Sequence, residues 1–224
     1  MATLAGFLLV DKPSGPTSHD VVDMVRRATG LRKVGHAGTL DPFASGLLIL
    51  ALGTATKSIS KFVGLDKTYE AVVMMGGTSD TMDRTGTLDM QACATVSEPA
   101  MLEVLEKFKG TIDQTPPMYS AKKIGGKKLY ELAREGKEVE RKPVRVTIHE
   151  IEIVSYEWPR LTVRCRVSSG TYIRALAHDI GQALGCGAYL EELRRTAIGS
   201  YKVEDALPAD SLGTVSLDKR LFLA

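Results

Sequence analysis

The twelve residues Gly35-His36-Ala37-Gly38-Thr39-Leu40-Asp41-Pro42-Phe43-Ala44-Ser45-Gly46 place an acid in an unusual setting. Glycines at positions 35, 38 and 46 permit backbone angles and close approaches that a side chain forbids. Pro42 biases Asp41 away from the helical region, so the carboxylate rides on an extended or turn backbone just ahead of the apolar run Leu47 to Leu52. An acid on a loop with a rigid support behind it can act as a nucleophile or a general base. Taken alone, however, an Asp-Pro is more often a turn former and His36 a loop histidine.

The elements around this string can be read from their periods. Ala5 to Val10 predicts a short buried strand, ended by the turn cluster Asp11-Lys12-Pro13-Ser14-Gly15-Pro16. A helix follows, capped by Thr17 or Ser18, with Asp20 in its first turn and Gly30 as its stop. Leu47 to Leu52 and Tyr69 to Met75 predict central strands, and Thr78 to Gly86 a loop whose Asp80 and Asp83 are too few and wrongly spaced for calcium. Ser97 caps a helix through Lys109, with Met101, Leu102, Leu105 and Phe108 on its apolar face. Val144, Val146 and Ile148 alternate in one phase and Ile151 and Ile153 in the other, which a one-residue bulge explains. Leu161, Val163, Cys165 and Val167 alternate cleanly, so the two segments suggest an antiparallel pair around Pro159. Helical spacing returns at Ile173, Leu176, Ala177, Ile180 and Leu184 before Gly185. The mixture fits an α+β fold, a mixed, largely antiparallel central sheet flanked by helices, in one domain spanning 1–224.

Composition narrows the function classes. With 29 Lys+Arg against 27 Asp+Glu the net charge is only +2, so polyanion binding must rest on local charge. Ala121 to Arg145 supplies it, with nine basic residues against four glutamates, while the rest of the chain is net negative. Lysines and arginines there can neutralise phosphates, and Tyr119 and Tyr130 can stack on unpaired bases. An ordinary amphipathic surface helix over Lys127 to Arg134 fits the same residues. No apolar run approaches a membrane span and no basic or apolar leader opens the chain, so cytoplasmic residence is expected. Cys93, Cys165 and Cys186 lie far apart without clustered histidines, which predicts reduced structural thiols and no metal site.

The Gly35 to Gly46 string resembles the catalytic motif of the TruB family of pseudouridine synthases, which act on the T-loop uridine of tRNA at position 55. Further matching segments come in the family's order: Leu8 to Pro13 with Thr17-Ser18, Lys67 to Glu70, Pro117 to Ala121, Gly126 to Tyr130, Gly170 to Arg174 and Leu193-Arg194-Arg195. The resemblance implies an isomerase that detaches uracil at N1, turns it and rejoins it through C5, with neither metal nor organic cofactor. It implies Asp41 as the acid, acting as nucleophile or base, Arg174 as its partner, and Tyr69 stacked on the target base. An exposed arginine in the first turn of a helix would otherwise be poorly placed against the dipole. His36 would fill the space left by the extruded uridine, and Leu193 would touch the flipped base. Lys12 and Lys57 match basic residues near the cleft, Lys12 either touching RNA or packing under the motif. Tyr119, Lys127 and Lys128 fall in a basic RNA-clamping insertion at about 119–145. Bacterial relatives usually continue into a small C-terminal RNA-binding domain, which is expected to be absent or truncated here, since the chain stops at Ala224. The expected partner is the T-arm stem-loop of tRNA, bound by a monomer away from membranes. A catalytically inactive RNA-binding protein or tRNA-folding chaperone of the same fold is the alternative. A phosphate-handling enzyme fits poorly, because no Gly-x-x-x-x-Gly-Lys-Ser/Thr or Gly-x-Gly-x-x-Gly string occurs.

Overall fold

A computed structural model describes residues 4–120 and 122–223. In chain order the elements are β1 (Gly6–Lys12), α1 (Ser18–Thr29), β2 (Val34–His36), β3 (Ser45–Leu52), α2 (Ser60–Val63), β4 (Lys67–Met75), β5 (Gly77–Ser79) and β6 (Leu88–Met90). They continue with α3 (Glu98–Phe108), β7 (Gly110–Gln114), β8 (Lys123–Ile124), β9 (Lys127–Lys128), α4 (Leu129–Arg134), β10 (Val144–Glu157) and β11 (Arg160–Val167). The last are α5 (Ile173–Ala183), β12 (Ala188–Ile198), β13 (Tyr201–Lys202) and β14 (Leu207–Pro208). The architecture is α+β, with a mixed, largely antiparallel sheet. Contacts cluster into two units where the sequence suggests one domain: Met1–Tyr69 with Leu193–Ala224, and Glu70–Glu192.

In the first unit β1 pairs antiparallel with β3 from Gly6↔Leu52 to Lys12↔Gly46, so the strand runs two residues past the predicted Val10. On the other edge of β3, β12 runs parallel, with Arg194 opposite Ser45 and Arg195 opposite Gly46. Every residue from Leu47 to Leu52 is removed from solvent, as an unbroken apolar run requires when both faces of a strand are covered. Leu47, Ile49 and Ala51 share one cluster with Phe7, Phe62 and Ile198. Thr17 is the cap of α1, accepting from the Asp20 amide while the Asp20 carboxylate accepts from Thr17, and Gly30 closes the helix at φ +70°. Ser18, the other candidate cap, is buried and serves the loop described below.

In the second unit β4, β11, β10 and β7 lie in that order. The predicted phase change in β10 is a register shift between Ile148 and Glu150, and a second follows between Ile153 and Ser155. The stretch predicted as a loop overlaps β5, which pairs with β6 across a turn that carries Asp83. β5 is short and polar, and β6, Leu88-Asp89-Met90, is only three residues long, too short to establish a period. On α3 the buried residues are Met101, Val104 and Leu105, and Leu102 is 45% exposed, which corrects the predicted face. The i, i+3, i+4 pattern selects Val104, whereas i+1 points away.

Candidate active site

In the first unit the glycine-rich string leaves β2 and enters β3 through a tight turn. The Ala44 amide donates to the Asp41 carbonyl at 3.1 Å, so Pro42 takes the second position of a four-residue turn, where its fixed φ fits. The segment after β1 holds this turn from behind. The Gly15 amide and the Lys12 ammonium both donate to the Pro42 carbonyl, at 2.8 and 3.2 Å, and Ser14 Oγ donates to the Phe43 carbonyl at 2.8 Å. Ser18 Oγ accepts from the Leu40 amide at 2.8 Å and donates to the Leu40 carbonyl at 3.1 Å. The half-buried Asp41 therefore sits on backbone whose flanking carbonyls are nearly all engaged.

Lys12 is fully buried, and its ammonium donates to the carbonyls of Pro13 and Pro16, at 2.9 and 2.7 Å, besides Pro42. It lies under the motif, turned to carbonyls and away from solvent, the second of the two placements expected for it. Burial pushes its pKa down to about 8, an effect opposed by the Asp41 charge and reinforced by that of Arg195. The folded protein holds this proton less tightly than the unfolded chain, so between pH 8 and 10.5 the unfolded state binds more protons and stability rises with pH. Below that window both states are charged and the full burial cost is borne. Between pH 8 and 10.5 the wild-type urea midpoint is expected to gain relative to that of Lys12→Met. Equal slopes for the two proteins would exclude a depressed Lys12 pKa.

His36 is half-buried at the end of β2. Burial lowers its pKa, opposed by a hydrogen bond with the Gly38 backbone and reinforced by the Arg195 charge, which favours a neutral ring suited to stacking. Tyr69 and Leu193 are each 8% exposed, and Lys57 is exposed on the turn Gly53–Ser58.

In the second unit Arg174 occupies the first turn of α5 but is buried, not solvated. Its Nη1 donates to the Thr81 carbonyl at 3.0 Å and to Asp83 Oδ2 at 3.3 Å, and its Nη2 donates to the Tyr119 carbonyl at 2.7 Å. Asp83 is equally buried, and its Oδ1 accepts from the Thr81 hydroxyl and the Thr85 amide, both at 2.9 Å. A buried carboxylate with a guanidinium partner answers the unfavourable dipole at the start of α5. Gln114, fully buried on β7, fixes the same helix start by accepting from the Tyr172 amide at 2.8 Å and donating to its carbonyl at 3.0 Å. In the sequence Asp83 stands out only as an acid too isolated for calcium, and Gln114 carries no local signal. A lone acid flanked by Thr81 and Thr85 in a turn was the available signal.

Further along this unit, β8 and β9 form a hairpin whose Gly125 and Gly126 both have positive φ, as a two-residue turn between strands demands. Lys127 is exposed and Lys128 half-buried, with the Lys128 ammonium donating to the Tyr130 hydroxyl at 3.0 Å. Arg134 lies over the Tyr130 ring at 5.4 Å, so the ring carries two cations. Tyr119 is half-buried and gives its carbonyl to Arg174. Among the described residues no group of three or more His, Cys, Asp or Glu could hold a metal ion, and no helix is long and apolar enough to cross a membrane.

A family model described as TruB family pseudouridylate synthase (N terminal domain) matches residues 26–173, and one described as tRNA pseudouridylate synthase B C-terminal domain matches residues 174–220. The chain belongs to the TruB family. Pseudouridylate synthases are isomerases, and membership assigns the chain to that class. The tRNA pseudouridine synthase B of Azoarcus sp. (strain BH72) is 52% identical over 207 residues, covering 92% of this chain and 69% of the relative. That of Opitutus terrae is 44% identical over 223 residues, covering 98% and 92%. Among solved structures, a chain of a Cbf5-Nop10-Gar1 complex has a TM-score of 0.72 at 34% identity over 91% of this chain and 52% of its own, so this TruB chain spans about half of that relative.

Proposed function

We propose that this TruB chain converts the uridine at position 55 in the T-loop of tRNA to pseudouridine. The supporting observation is the Asp41-Pro42 turn, braced by Lys12, Ser14 and Ser18 so that the backbone carrying its carboxylate is held in place. Relatives named for tRNA support the substrate class. The ionised Asp41 acts at the ribose of an everted nucleotide, as nucleophile or base, to free the uracil, which turns and rejoins through C5. No redox change occurs and no atom is added, so the reaction calls for neither metal nor organic cofactor. Tyr69 supports the base, Leu193 touches it, His36 enters the space it leaves, and Arg174 is the cation assigned to the aspartate. Lys57, Tyr119, Lys127 and Lys128 contact RNA, with residues 119–145 acting as the clamp. We take the working form to be a cytoplasmic monomer in which 1–224 act together as the catalytic domain.

Purified protein is expected to release the C5 hydrogen of the target uridine in a transcribed T-arm hairpin, without added metal or nucleotide. Tight binding with no release would favour the inactive RNA-binding reading. Because the clamp neutralises phosphates, binding should weaken steeply between low and physiological salt, and Lys127→Ala with Lys128→Ala should flatten that slope by about one or two units of log K per log salt. A slope unchanged by the double substitution would remove the clamp from these two lysines.

A further inference from the structure

Arg195 is 1% exposed, and among the described residues its guanidinium donates only to backbone. Nε donates to the Leu47 carbonyl at 2.7 Å, Nη1 to that of Thr39 at 3.4 Å and Nη2 to that of Gly38 at 3.3 Å. Among the described residues it makes no ion pair. A guanidinium buried against carbonyls alone is costly, and an apolar side chain would fill the space more cheaply. Its three acceptors, however, lie on both flanks of the Asp41 turn, two before it and one after. A planar fork of five donors suits acceptors that converge from different directions, whereas a lysine ammonium is a point charge on a flexible stem.

The strand that delivers this fork is itself fixed. Arg195 stands opposite Gly46 in parallel register, and a Cβ on Gly46 would lie 2.2 Å from the Arg195 carbonyl oxygen. Arg194 holds the neighbouring position by an ion pair to Asp11, at 2.7 and 3.0 Å, with Ser45 Oγ at 3.4 Å. Leu193 and Arg195 share a face of β12 by strand alternation, so one face carries both the residue assigned to the base and the one gripping the acid's loop.

We propose that Arg195 is a positioning residue for the isomerisation: by tying Gly38 and Thr39 to Leu47 it sets where the Asp41 carboxylate meets the ribose. This rests on the function proposed above, and its test separates the two. In Arg195→Lys, which keeps the charge, hydrogen exchange at the Ala37, Leu40 and Ala44 amides should quicken severalfold, because these donate to Ile49, Ser18 and Asp41 within the gripped loop. Amides of β1 and the rest of β3 should keep their wild-type rates. On the T-arm hairpin kcat should fall about 100-fold with KM and RNA affinity unchanged, the mark of a displaced reacting group. Arg195→Met should show the same pattern more strongly if it folds.

Exchange that rises evenly through the first unit, or not at all in the loop, would overturn the proposal. So would a raised KM with normal kcat, which would make Arg195 a binding residue. Localised loop exchange in the lysine variant, combined with a wild-type protein that releases no C5 hydrogen, would support the grip on the loop and refute the substrate.

Discussion

Asp41→Asn is expected to slow single-turnover conversion of the T-arm uridine by at least about four orders of magnitude, the scale on which loss of a reacting group acts. Asparagine forms the same kinds of turn as aspartate, and the hydrogen bonds that fix this turn run through the backbone of residues 40 to 44. The variant therefore keeps its loop and loses only the anion. Its affinity for RNA should stay within about twofold of wild type, because phosphate contacts dominate affinity. Filter binding and rapid-quench conversion on one preparation check both halves. A loss of affinity that matches the loss of rate would place Asp41 in binding.

Asp83→Ala should produce the largest loss of stability. It removes a carboxylate, 3% exposed, from the Arg174 guanidinium, 4% exposed, and breaking such a buried pair costs about 3–5 kcal/mol. For a chain of this size the melting temperature should drop by roughly 10 °C. Adding Arg174→Met should recover part of that loss by removing the buried charge, while the Thr85 amide that gave to Asp83 stays unpaired. Thermal unfolding of the two single variants and the double variant measures the coupling. Additive losses would show that the two side chains do not depend on each other.

What could be read in the sequence was what local periodicity determines. The phase switch across Ile148 and Ile151 gave away a bulge inside one long strand, and the Leu47 to Leu52 run gave away a strand covered on both faces. Thr17 and Gly30 announced both ends of α1. Local pattern was silent where a side chain's role depends on distant chain. Arg174 looks solvated in its own helix and is buried because Asp83, 91 residues away, meets it. Arg195 reaches carbonyls 148 to 157 residues away, which no spacing rule connects. The β5–β6 hairpin escapes because its strands have only three residues each, and the exposed Leu102 misleads because an apolar residue beside a buried one need not share its face.

The most direct measurement is chemical mapping of pseudouridine along an unmodified tRNA transcript after incubation with wild type and with Asp41→Asn. The account predicts one new pseudouridine, at position 55, with wild type and none with the variant. Modification elsewhere in the transcript, none by wild type, or an undiminished signal from the variant would contradict it.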